Sequence, residues 1–458
     1  ALYAAALDPR IASALVCGYF QEREDVWQEP IYRNVWGLLT EFGDAELAGL
    51  IAPRRLVIEA CRAVEVAGPP PVRDGCRASA APGRISNQRL SSVQAEFQRA
   101  AAIYRQLGME QELVLALSGE EGLGAAGTAE ALAAFTAGLG IRQGLDAEGA
   151  AWQVTASQLG TQPVALYDAA ARQKRQFDEL QIHVQDLLRR SSHVRDAKWQ
   201  VKQASVDGWE RDRKPLRDWV HDELIGRLPP ERRPPNPRSR LVLEADAYLG
   251  YELLLDVVDD VIASGILLLP RNLAAGEKRP LVVCQHGLEG TPRDTISRQP
   301  RPYASYKAFS EELVKRGFLV YAPQNPYRGG DRFRSIQRMS NPLERSLFSY
   351  VIAQHEQTLD WLATLPPVDS KRIAFYGLSY GGKTAMRVPP LVDRYCLAIC
   401  SGDFTDWVRT ITTNEDRYGY IFTGEYEIPE WNMGHVASYA ELAMLMAPRP
   451  FMVEAGHR

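Results

Sequence analysis

In the second half of the chain, short apolar runs alternate with amphipathic stretches. The pattern predicts strands over residues 281–285, 318–322, 372–376, 396–400 and 450–454, with helices over 306–316 and 343–362 between them. Asn341 is the expected N-cap of the longer helix and Pro342 its first residue. Strands that alternate with helices predict an α/β fold with a doubly wound, mostly parallel sheet.

The first part of the chain shows the same alternation. Strands are predicted over residues 10–18, 54–60 and 112–117, and helices over 93–104 and 129–139. Residues 168–203 are highly charged, with apolar residues at helical spacing, and predict one or two amphipathic helices. We expect these helices to pack on their own domain; binding to the groove of a partner is the alternative.

Residues 228–240 are rich in proline and predict a linker. Residues 241–245 and 251–269, which follow it, have the pattern of antiparallel strands that open a sheet. A new domain is therefore expected to begin near residue 240.

Two segments of the chain resemble two others. Residues 1–20 align without gaps with residues 385–404, and residues 45–60 align with residues 440–455. Both matches occur in the same order and at similar spacing, which indicates duplication of a domain-sized unit rather than a solenoid. A circularly permuted single domain is the alternative, but it would not contain duplicated segments.

The alignment of the two repeats also predicts domain limits. Residue 1 corresponds to residue 385, so residues 1–145 are expected to be the C-terminal half of a first repeat. Residues 146–239 are then a helical segment with the linker, and residues 240–458 a second repeat without its C-terminal end. Both repeats are thus expected to be incomplete in this chain and to pack against each other.

Composition and charge exclude several classes of protein. The 458 residues carry a net charge of −4, which argues against nucleic acid as the main partner. No apolar run approaches the roughly 20 residues of a membrane-spanning helix. The six cysteines have no C-x-x-C spacing and no dense framework, and those at 284, 396 and 400 are expected to be free thiols in buried strands.

The motif Gly377-Leu-Ser-Tyr-Gly-Gly-Lys383 joins a predicted strand to a predicted helix. A serine on such a sharp corner is the nucleophile elbow of the α/β-hydrolases, in which glycines on either side relieve backbone crowding. Ser379 is therefore the predicted nucleophile. The Tyr380 N–H is one predicted donor to the oxyanion.

The second oxyanion donor is expected in the loop that follows residues 281–285. Its residues are His286-Gly-Leu-Glu-Gly290, and the N–H of Gly287 or Leu288 is the candidate donor. His286 is expected to shape this loop rather than to accept a proton. It is also a candidate for substrate contact.

The acid and base of a triad are harder to assign. Glu454, at the end of its predicted strand, and Asp403, after the preceding one, are alternative acids; a residue beyond Arg458 is the third possibility. In this fold the histidine follows the last strand, so we expect it beyond Arg458 and regard His457 as too early. His355 is expected to be a packed core histidine.

The first repeat has no histidine, because the first one in the chain is His183. It cannot form a serine–histidine triad from its own residues and is expected to be a degenerate, non-catalytic partner domain.

Further polar residues border the predicted active-site mouth. Arg328, Arg332 and Arg334 follow the strand over residues 318–322, where they could bind a substrate carboxylate or pair with nearby acids. Lys383, four residues after the nucleophile, is another candidate for substrate binding.

From Ser239 onward the chain resembles the dienelactone hydrolase-like and acetyl xylan esterase-like branch of the α/β-hydrolases. The segments that carry the resemblance are VVCQHGLEG (282–290), APQNPYRGGDRFR (322–334), RIAFYGLSYGGKTAMR (372–387) and APRPFMVEAGH (447–457). The resemblance implies hydrolysis of carboxylic esters by a serine, without a metal or an organic cofactor. Lys383 is similar to the lysine of the glucuronoyl esterase elbow, although Leu378 and Tyr380 depart from that pattern.

The sequence thus favours a serine esterase that acts on a small or carbohydrate-linked ester. A binding or scaffold protein of two hydrolase-like domains is the alternative from another class. Glucuronoyl esterase-like or peptidase activity is a further alternative.

Overall fold

A computed structural model describes residues 1–69, 82–141, 168–202, 205–330, 332–415, 419–421 and 430–456. The chain forms two compact units, here called the N-terminal unit (within residues 1–184) and the C-terminal unit (within residues 185–458). The described helices include none that is long and apolar enough to cross a membrane.

The N-terminal unit contains a three-stranded parallel sheet in the order β1-β2-β3. Its strands are β1 (Ser13–Cys17), β2 (Arg55–Ala60) and β3 (Leu113–Leu117), and its helices are α1 (Leu2–Leu7), α2 (Asp44–Ile51), α3 (Leu90–Gln106) and α4 (Ala129–Ala137). The central strand β2 is buried along nearly its whole length, as expected for a parallel strand with helices on both faces.

The connecting region forms α5 (Ala169–Lys198) and α6 (Val206–Val220), followed by a short π-helical turn, His221–Ile225. On α5, Leu188 packs on the core of the C-terminal unit. Phe177, Leu180 and Leu187 are each more than half exposed, so the prediction that this apolar stripe packs on its own domain is wrong for these residues.

The C-terminal unit is built on an eight-stranded mixed sheet in the order β4-β5-β6-β8-β7-β9-β10-β11. Its strands are β4 (Arg238–Glu244), β5 (Tyr248–Val258), β6 (Val261–Pro270), β7 (Arg279–Gln285), β8 (Leu319–Gln324), β9 (Val368–Leu378), β10 (Tyr395–Ser401) and β11 (Phe451–Glu454). The strands β4, β5, β6 and β8 pair antiparallel, and those from β8 through β11 pair parallel.

Helices cover both faces of this sheet, which confirms the predicted α/β class. They are α7 (Pro300–Tyr306), α8 (Phe309–Lys315), α9 (Arg332–Ser340), α10 (Leu347–Leu362), α11 (Tyr380–Ala385), α12 (Val388–Leu391), α13 (Trp407–Thr412), α14 (Met433–Val436) and α15 (Tyr439–Met444). Successive residues of β7 point to opposite faces: Leu281 and Val283 pack in the core that contains α10, and Val282 and Cys284 in the one that contains Val314 of α8.

Two predicted helices have different limits in the structure. The helix expected over residues 306–316 is divided, because Lys307 and Ala308 both adopt left-handed backbone conformations. The helix expected from Pro342 begins only at Leu347, because Glu344 is also left-handed and Ser346 is the N-cap.

The segments that align in sequence adopt the same local structure in the two units. Ala14 of β1 pairs with Leu56 of β2, and the aligned residues Ala398 and Phe451 pair in the same way. Both pairs of strands are parallel and adjacent. The register between the strands is therefore identical in the two units.

Hydrogen bonds around these strands also correspond. The Gly18 N–H donates to the Glu59 carbonyl at 3.0 Å, and the Gly402 N–H to the Glu454 carbonyl at 2.9 Å. The side chain of Arg54 caps the Ile11 carbonyl, as the aligned Arg449 caps that of Tyr395. The duplication of a whole domain, and the predicted domain limits, stay predictions.

Candidate active site

Ser379 lies between β9 and α11, at the carboxyl end of the parallel strands. Its backbone has φ 60° and ψ −118°, a conformation that is strained for any residue other than glycine. The Ser379 N–H donates to the Ser401 carbonyl at 2.8 Å, which ties the corner to β10. The side chain is exposed, so its Oγ is accessible to a substrate.

The glycines of the elbow are required by close backbone contacts. A Cβ on Gly377 would lie 2.2 Å from the Gly381 carbonyl oxygen, and a Cβ on Gly381 would lie 2.5 Å from the Gln285 carbonyl oxygen. Backbone atoms cannot move away as a flexible side chain can. The turn from β9 into α11 therefore needs glycine at both positions.

The loop after β7 lies beside Ser379. A Cβ on Gly287 would be 3.3 Å from the Ser379 Cβ and 3.1 Å from the Tyr306 hydroxyl. The Gly287 N–H donates to that hydroxyl at 2.9 Å, whereas the Leu288 N–H has no acceptor among the described residues. Of the two predicted donors in this loop, the Leu288 N–H is thus the one available to an oxyanion.

Tyr380 provides the first N–H of α11. Its side chain is buried beside Tyr327 and Phe348. The aromatic packing fixes the start of the helix, and therefore the direction of the N–H next to Ser379.

His286 is fully buried beneath the loop. Its Nδ1 donates to the Gly287 carbonyl at 2.8 Å, and its Nε2 accepts the Asn325 N–H at 3.3 Å. Burial lowers the pKa of the ring to about 4, so it is neutral at pH 7. The side chain shapes the loop, and its position does not support the predicted contact with substrate.

A second loop, after β8, is joined to the first by Glu289. Its carboxylate accepts the N–H groups of Gly329 and Gly330, both at 2.7 Å. Arg328 and Arg332 on this segment are exposed, and neither has a carboxylate partner within the described part of the chain. Two exposed guanidinium groups therefore lie on the loop after β8.

Lys383 does not face this surface. It is 1% exposed, and its ammonium lies 4.5 Å from the centre of the Trp407 ring and 4.9 Å from that of Tyr380. The predicted role in substrate binding is wrong for Lys383, because the side chain points into the core and contacts aromatic rings.

Behind α11 there is a buried cluster of charges. Arg387 donates to Glu430 at 2.8 Å and to the Tyr439 hydroxyl at 3.1 Å, and both Arg387 and Glu430 are almost completely buried. The Tyr439 hydroxyl in turn donates to Asp403. This cluster was not predicted, because Glu430 and Tyr439 lie far from the elbow in the sequence.

The structure gives the two candidate acids different surroundings. Asp403 is bonded to Tyr439 and packs against Gly382 of α11, where a Cβ would lie 2.9 Å from that of Asp403. Burial raises the pKa of Asp403 to about 6. Glu454 is exposed at the end of β11 and accepts the Tyr376 hydroxyl at 2.9 Å.

No described residue makes a hydrogen bond to the Ser379 side chain, and none of the described histidines is its partner. His355 is buried, and its Nδ1 is 2.7 Å from the Tyr395 hydroxyl, as expected of a core histidine. His221 is also buried, with its pKa lowered to about 4 by burial. His457 lies outside the described residues.

Comparison with known proteins gives one family match. Residues 312–458 match the prolyl oligopeptidase family, and no curated protein matches the chain. The matched region contains the elbow and both candidate acids.

Several solved structures resemble part of the chain. A candidate acetyl xylan esterase from Bacteroides fragilis has 19% sequence identity and a TM-score of 0.46, with 54% of this chain and 68% of that chain covered. A glucuronoyl esterase from Solibacter usitatus has 17% identity and a TM-score of 0.38, over 55% of this chain and 75% of that one. Acetyl xylan esterase 1 from Thermoanaerobacterium sp. has 15% identity and a TM-score of 0.36, over 54% and 87%.

The narrower resemblance to dienelactone hydrolases stays a prediction. The order of the sheet, the helices on both faces and the serine on the corner after β9 are those of the superfamily predicted from the elbow motif. The C-terminal unit therefore has an α/β-hydrolase-like fold, and its residues 312–458 match the prolyl oligopeptidase family.

Proposed function

We propose that the C-terminal unit is a serine hydrolase that cleaves carboxylic esters through an acyl-enzyme on Ser379. The observation that carries the proposal is the strained, exposed serine at the N-terminus of α11, next to the loop that contains Leu288. A backbone strain of this kind costs about 1–3 kcal/mol and is characteristic of functional sites.

In this reaction the Ser379 Oγ attacks the acyl carbon, and its proton passes to a base. The negative charge that develops on the carbonyl oxygen is stabilised by the N–H groups of Tyr380 and Leu288. Departure of the alcohol leaves an acyl-serine, which water then hydrolyses by the same steps. Tyr306 keeps the Gly287 N–H occupied and so holds the loop in position.

Glu454 is the better placed of the two predicted acids. Among the described residues, its exposed carboxylate accepts one hydrogen bond, from Tyr376, and it can accept another from an imidazole. Asp403 is instead a positioning residue, because its carboxylate is bonded to Tyr439 and its side chain supports α11 at Gly382. The base is not assigned, since no described histidine is bonded to Ser379.

The substrate is a small or carbohydrate-linked ester with an anionic group near the ester bond. Arg328 and Arg332, which are exposed and have no carboxylate partner among the described residues, support this choice, since guanidinium groups bind carboxylates in a bidentate manner. The family match favours a peptide bond as the second candidate substrate.

The N-terminal unit is proposed to be a non-catalytic repeat of the hydrolase domain. Its identical strand register and the aligned hydrogen bonds of Gly18 and Gly402 support this origin. A purely structural or binding role for the whole protein is the alternative, and it predicts no turnover.

Turnover of p-nitrophenyl acetate by the full-length protein tests the proposal. We expect hydrolysis with a burst of p-nitrophenol, and its loss in Ser379→Ala. Equal rates for the two proteins would rule out Ser379 as the nucleophile. A prolyl p-nitroanilide, assayed in parallel, would be cleaved faster than the ester if the peptide bond were the true substrate.

A second assay tests the anionic group. Arg328→Gln and Arg332→Gln should raise KM for an ester with a carboxylate near the scissile bond, with little change for p-nitrophenyl acetate. Arg316→Gln, which removes an exposed arginine paired with Glu312, is the matched control. An equal effect on both esters would contradict the assignment of these arginines.

A further inference from the structure

The carboxyl ends of β1 and β2 in the N-terminal unit bring together two thiols and a carboxylate. Cys17 is the last residue of β1 and lies opposite Glu59 in the parallel pair, and Cys61 directly follows β2. The two sulfur atoms and a Glu59 oxygen all lie within 4.8 Å of one another. The cysteines are far apart in sequence and without metal-ligand spacing, so the cluster could be found only in the structure.

Glu59 is an unusual residue for this position. It is 1% exposed, and it has no ion-pair partner among the described residues. Its carboxylate accepts the Gly127 N–H at 2.8 Å and both the N–H and the hydroxyl of Thr128 at 2.8 Å. Buried charges are normally paired with an opposite charge or with a metal ion.

The three hydrogen bonds also fix the direction of the carboxylate. The neutral Cys17 thiol donates a further hydrogen bond to the Glu59 carboxylate. A cation that replaced the thiol proton would keep this contact, and Gly127 and Thr128 would hold Glu59 from behind. Such support of a ligand by residues behind it is typical of metal sites.

We propose that Cys17, Glu59 and Cys61 form a binding site for a thiophilic divalent cation such as Zn²⁺. Zinc binds thiolates at about 2.3 Å and carboxylates at about 2.0–2.2 Å, so shifts of about 1 Å would bring the three ligand atoms to their positions. Cys17 is exposed, which gives an ion access from solvent, and Cys61 is buried. A fourth coordination position remains for water or another ligand.

The site belongs to the N-terminal unit alone. The positions aligned with Cys17 and Cys61 are Ser401 and Gly456, so the C-terminal unit has the equivalent carboxylate, Glu454, but neither thiol. The proposal is independent of the esterase activity of Ser379.

Cobalt binding to the reduced full-length protein tests the proposal. Titration with Co²⁺ should give thiolate-to-cobalt charge-transfer absorption that saturates at one equivalent, and Zn²⁺ should displace the cobalt. Loss of a residue that supports a metal ligand from behind weakens metal binding by about 10–100-fold. Cys17→Ser and Cys61→Ser each remove a ligand and should weaken binding by more than that. Thr128→Val, which removes a residue behind Glu59, should weaken cobalt binding by about 10–100-fold.

The matched control is Cys396→Ser, which should bind as the unaltered protein does. Since a variant could fail to fold, the unaltered protein is also treated with iodoacetamide, and Zn²⁺ should protect Cys17 from alkylation. Absence of the charge-transfer absorption, its persistence in the Cys17→Ser/Cys61→Ser double variant, or equal alkylation with and without Zn²⁺ would overturn the proposal.

Discussion

Two aligned positions hold one tyrosine and one aspartate in each unit, but the order of the two residues is reversed between the units. Tyr19 and Asp44 of the N-terminal unit align with Asp403 and Tyr439 of the C-terminal unit. In the C-terminal unit the tyrosine hydroxyl donates to the aspartate, and in the N-terminal unit the two residues share a contact with Arg23. The buried cluster is thus the same in kind, although its members have changed positions.

The arginine of each cluster also comes from a different position. Arg23 aligns with Trp407, and Arg387 aligns with Tyr3. A buried carboxylate needs a partner wherever the chain can supply one, since an unpaired buried charge costs several kcal/mol. The comparison teaches that stability requires an arginine, a tyrosine and a carboxylate in the buried cluster, whichever positions supply them. Catalysis, in contrast, would require each group at one defined position relative to Ser379.

The C-terminal cluster lies against the helix that follows the proposed nucleophile, Ser379. Asp403 packs against Gly382, and Lys383 and Arg387 are both on or next to α11, the helix that begins after Ser379. In the N-terminal unit, Arg23 and Asp44 connect the loop after β1 to the start of α2. Changes in the two clusters should therefore have similar effects on stability and different effects on activity.

The largest effect is expected for the buried arginines. Arg387→Met removes the guanidinium that is bonded to the buried Glu430, and Arg23→Met removes the one bonded to the buried Asp44, so each should lower the free energy of unfolding by about 3–5 kcal/mol. Arg10→Met, which removes an exposed pair with Asp8, is the control and should change the free energy of unfolding little, because exposed ion pairs contribute little to stability. Urea unfolding measures the stability of the three variants. The esterase rate, measured at a temperature at which the variants are folded, should fall only for Arg387→Met. An equal loss of activity in Arg23→Met would contradict the comparison.

Next in size is a change in the elbow, which has no counterpart within the N-terminal unit. In Gly381→Ala the new Cβ meets the Gln285 carbonyl oxygen, and the nucleophile must shift. We expect kcat to fall about 100-fold, the loss that a displacement of about 1 Å produces. Gly434→Ala, where a Cβ would meet no atom within 4 Å, should keep full activity. An active Gly381→Ala variant would mean that the corner is not where catalysis occurs.

A smaller effect is expected for an aligned pair of glycines. Gly18 and Gly402 have φ of 59° and 69°, so alanine at either position should cost about 1–2 kcal/mol of stability. Gly402 also neighbours the Ser379 N–H, and only Gly402→Ala should lower kcat. Thermal unfolding with a parallel esterase assay measures both properties. If the two variants differ strongly in stability, the two loops are not equivalent.

The smallest effect concerns the dependence of stability on pH through the Asp403 carboxyl. Its pKa is raised to about 6 in the folded protein, which therefore binds the proton more tightly than the unfolded chain does. The stability due to the protonated carboxyl is present below about pH 4 and is lost as pH rises to about 6. Asp403→Asn should remove this dependence, so the unfolding free energy of the unaltered protein relative to the variant should fall across that range. A constant difference between the two proteins would contradict the raised pKa.

The sequence was sufficient to predict the α/β class, the strands around the elbow and the loop after β7. These features depend on local patterns: apolar runs of strand length, and glycines next to Ser379 where a side chain would collide. Backbone crowding acts between near neighbours in the sequence. It could therefore be inferred without the structure.

The depth of a side chain could not be inferred in this way. Lysine and histidine are residue types that often bind substrates. Lys383 and His286 are nevertheless buried, and they contact aromatic rings and backbone groups respectively. Tyr306, whose hydroxyl accepts the Gly287 N–H, is the last residue of α7. This helix ends because Lys307 and Ala308 adopt left-handed conformations, and the sequence does not indicate this because neither residue is glycine. Residues distant in sequence, such as Glu430, are brought into contact only by the complete fold.

Labelling with a fluorophosphonate tests the central claim most directly. The Ser379 Oγ should attack phosphorus and displace fluoride, which leaves a phosphonylated serine that mass spectrometry can locate. In the full-length protein we predict one adduct, on the peptide that contains Ser379, with parallel loss of esterase activity and no adduct in Ser379→Ala. Esterase activity that survives labelling, or an adduct on another serine, would contradict the account.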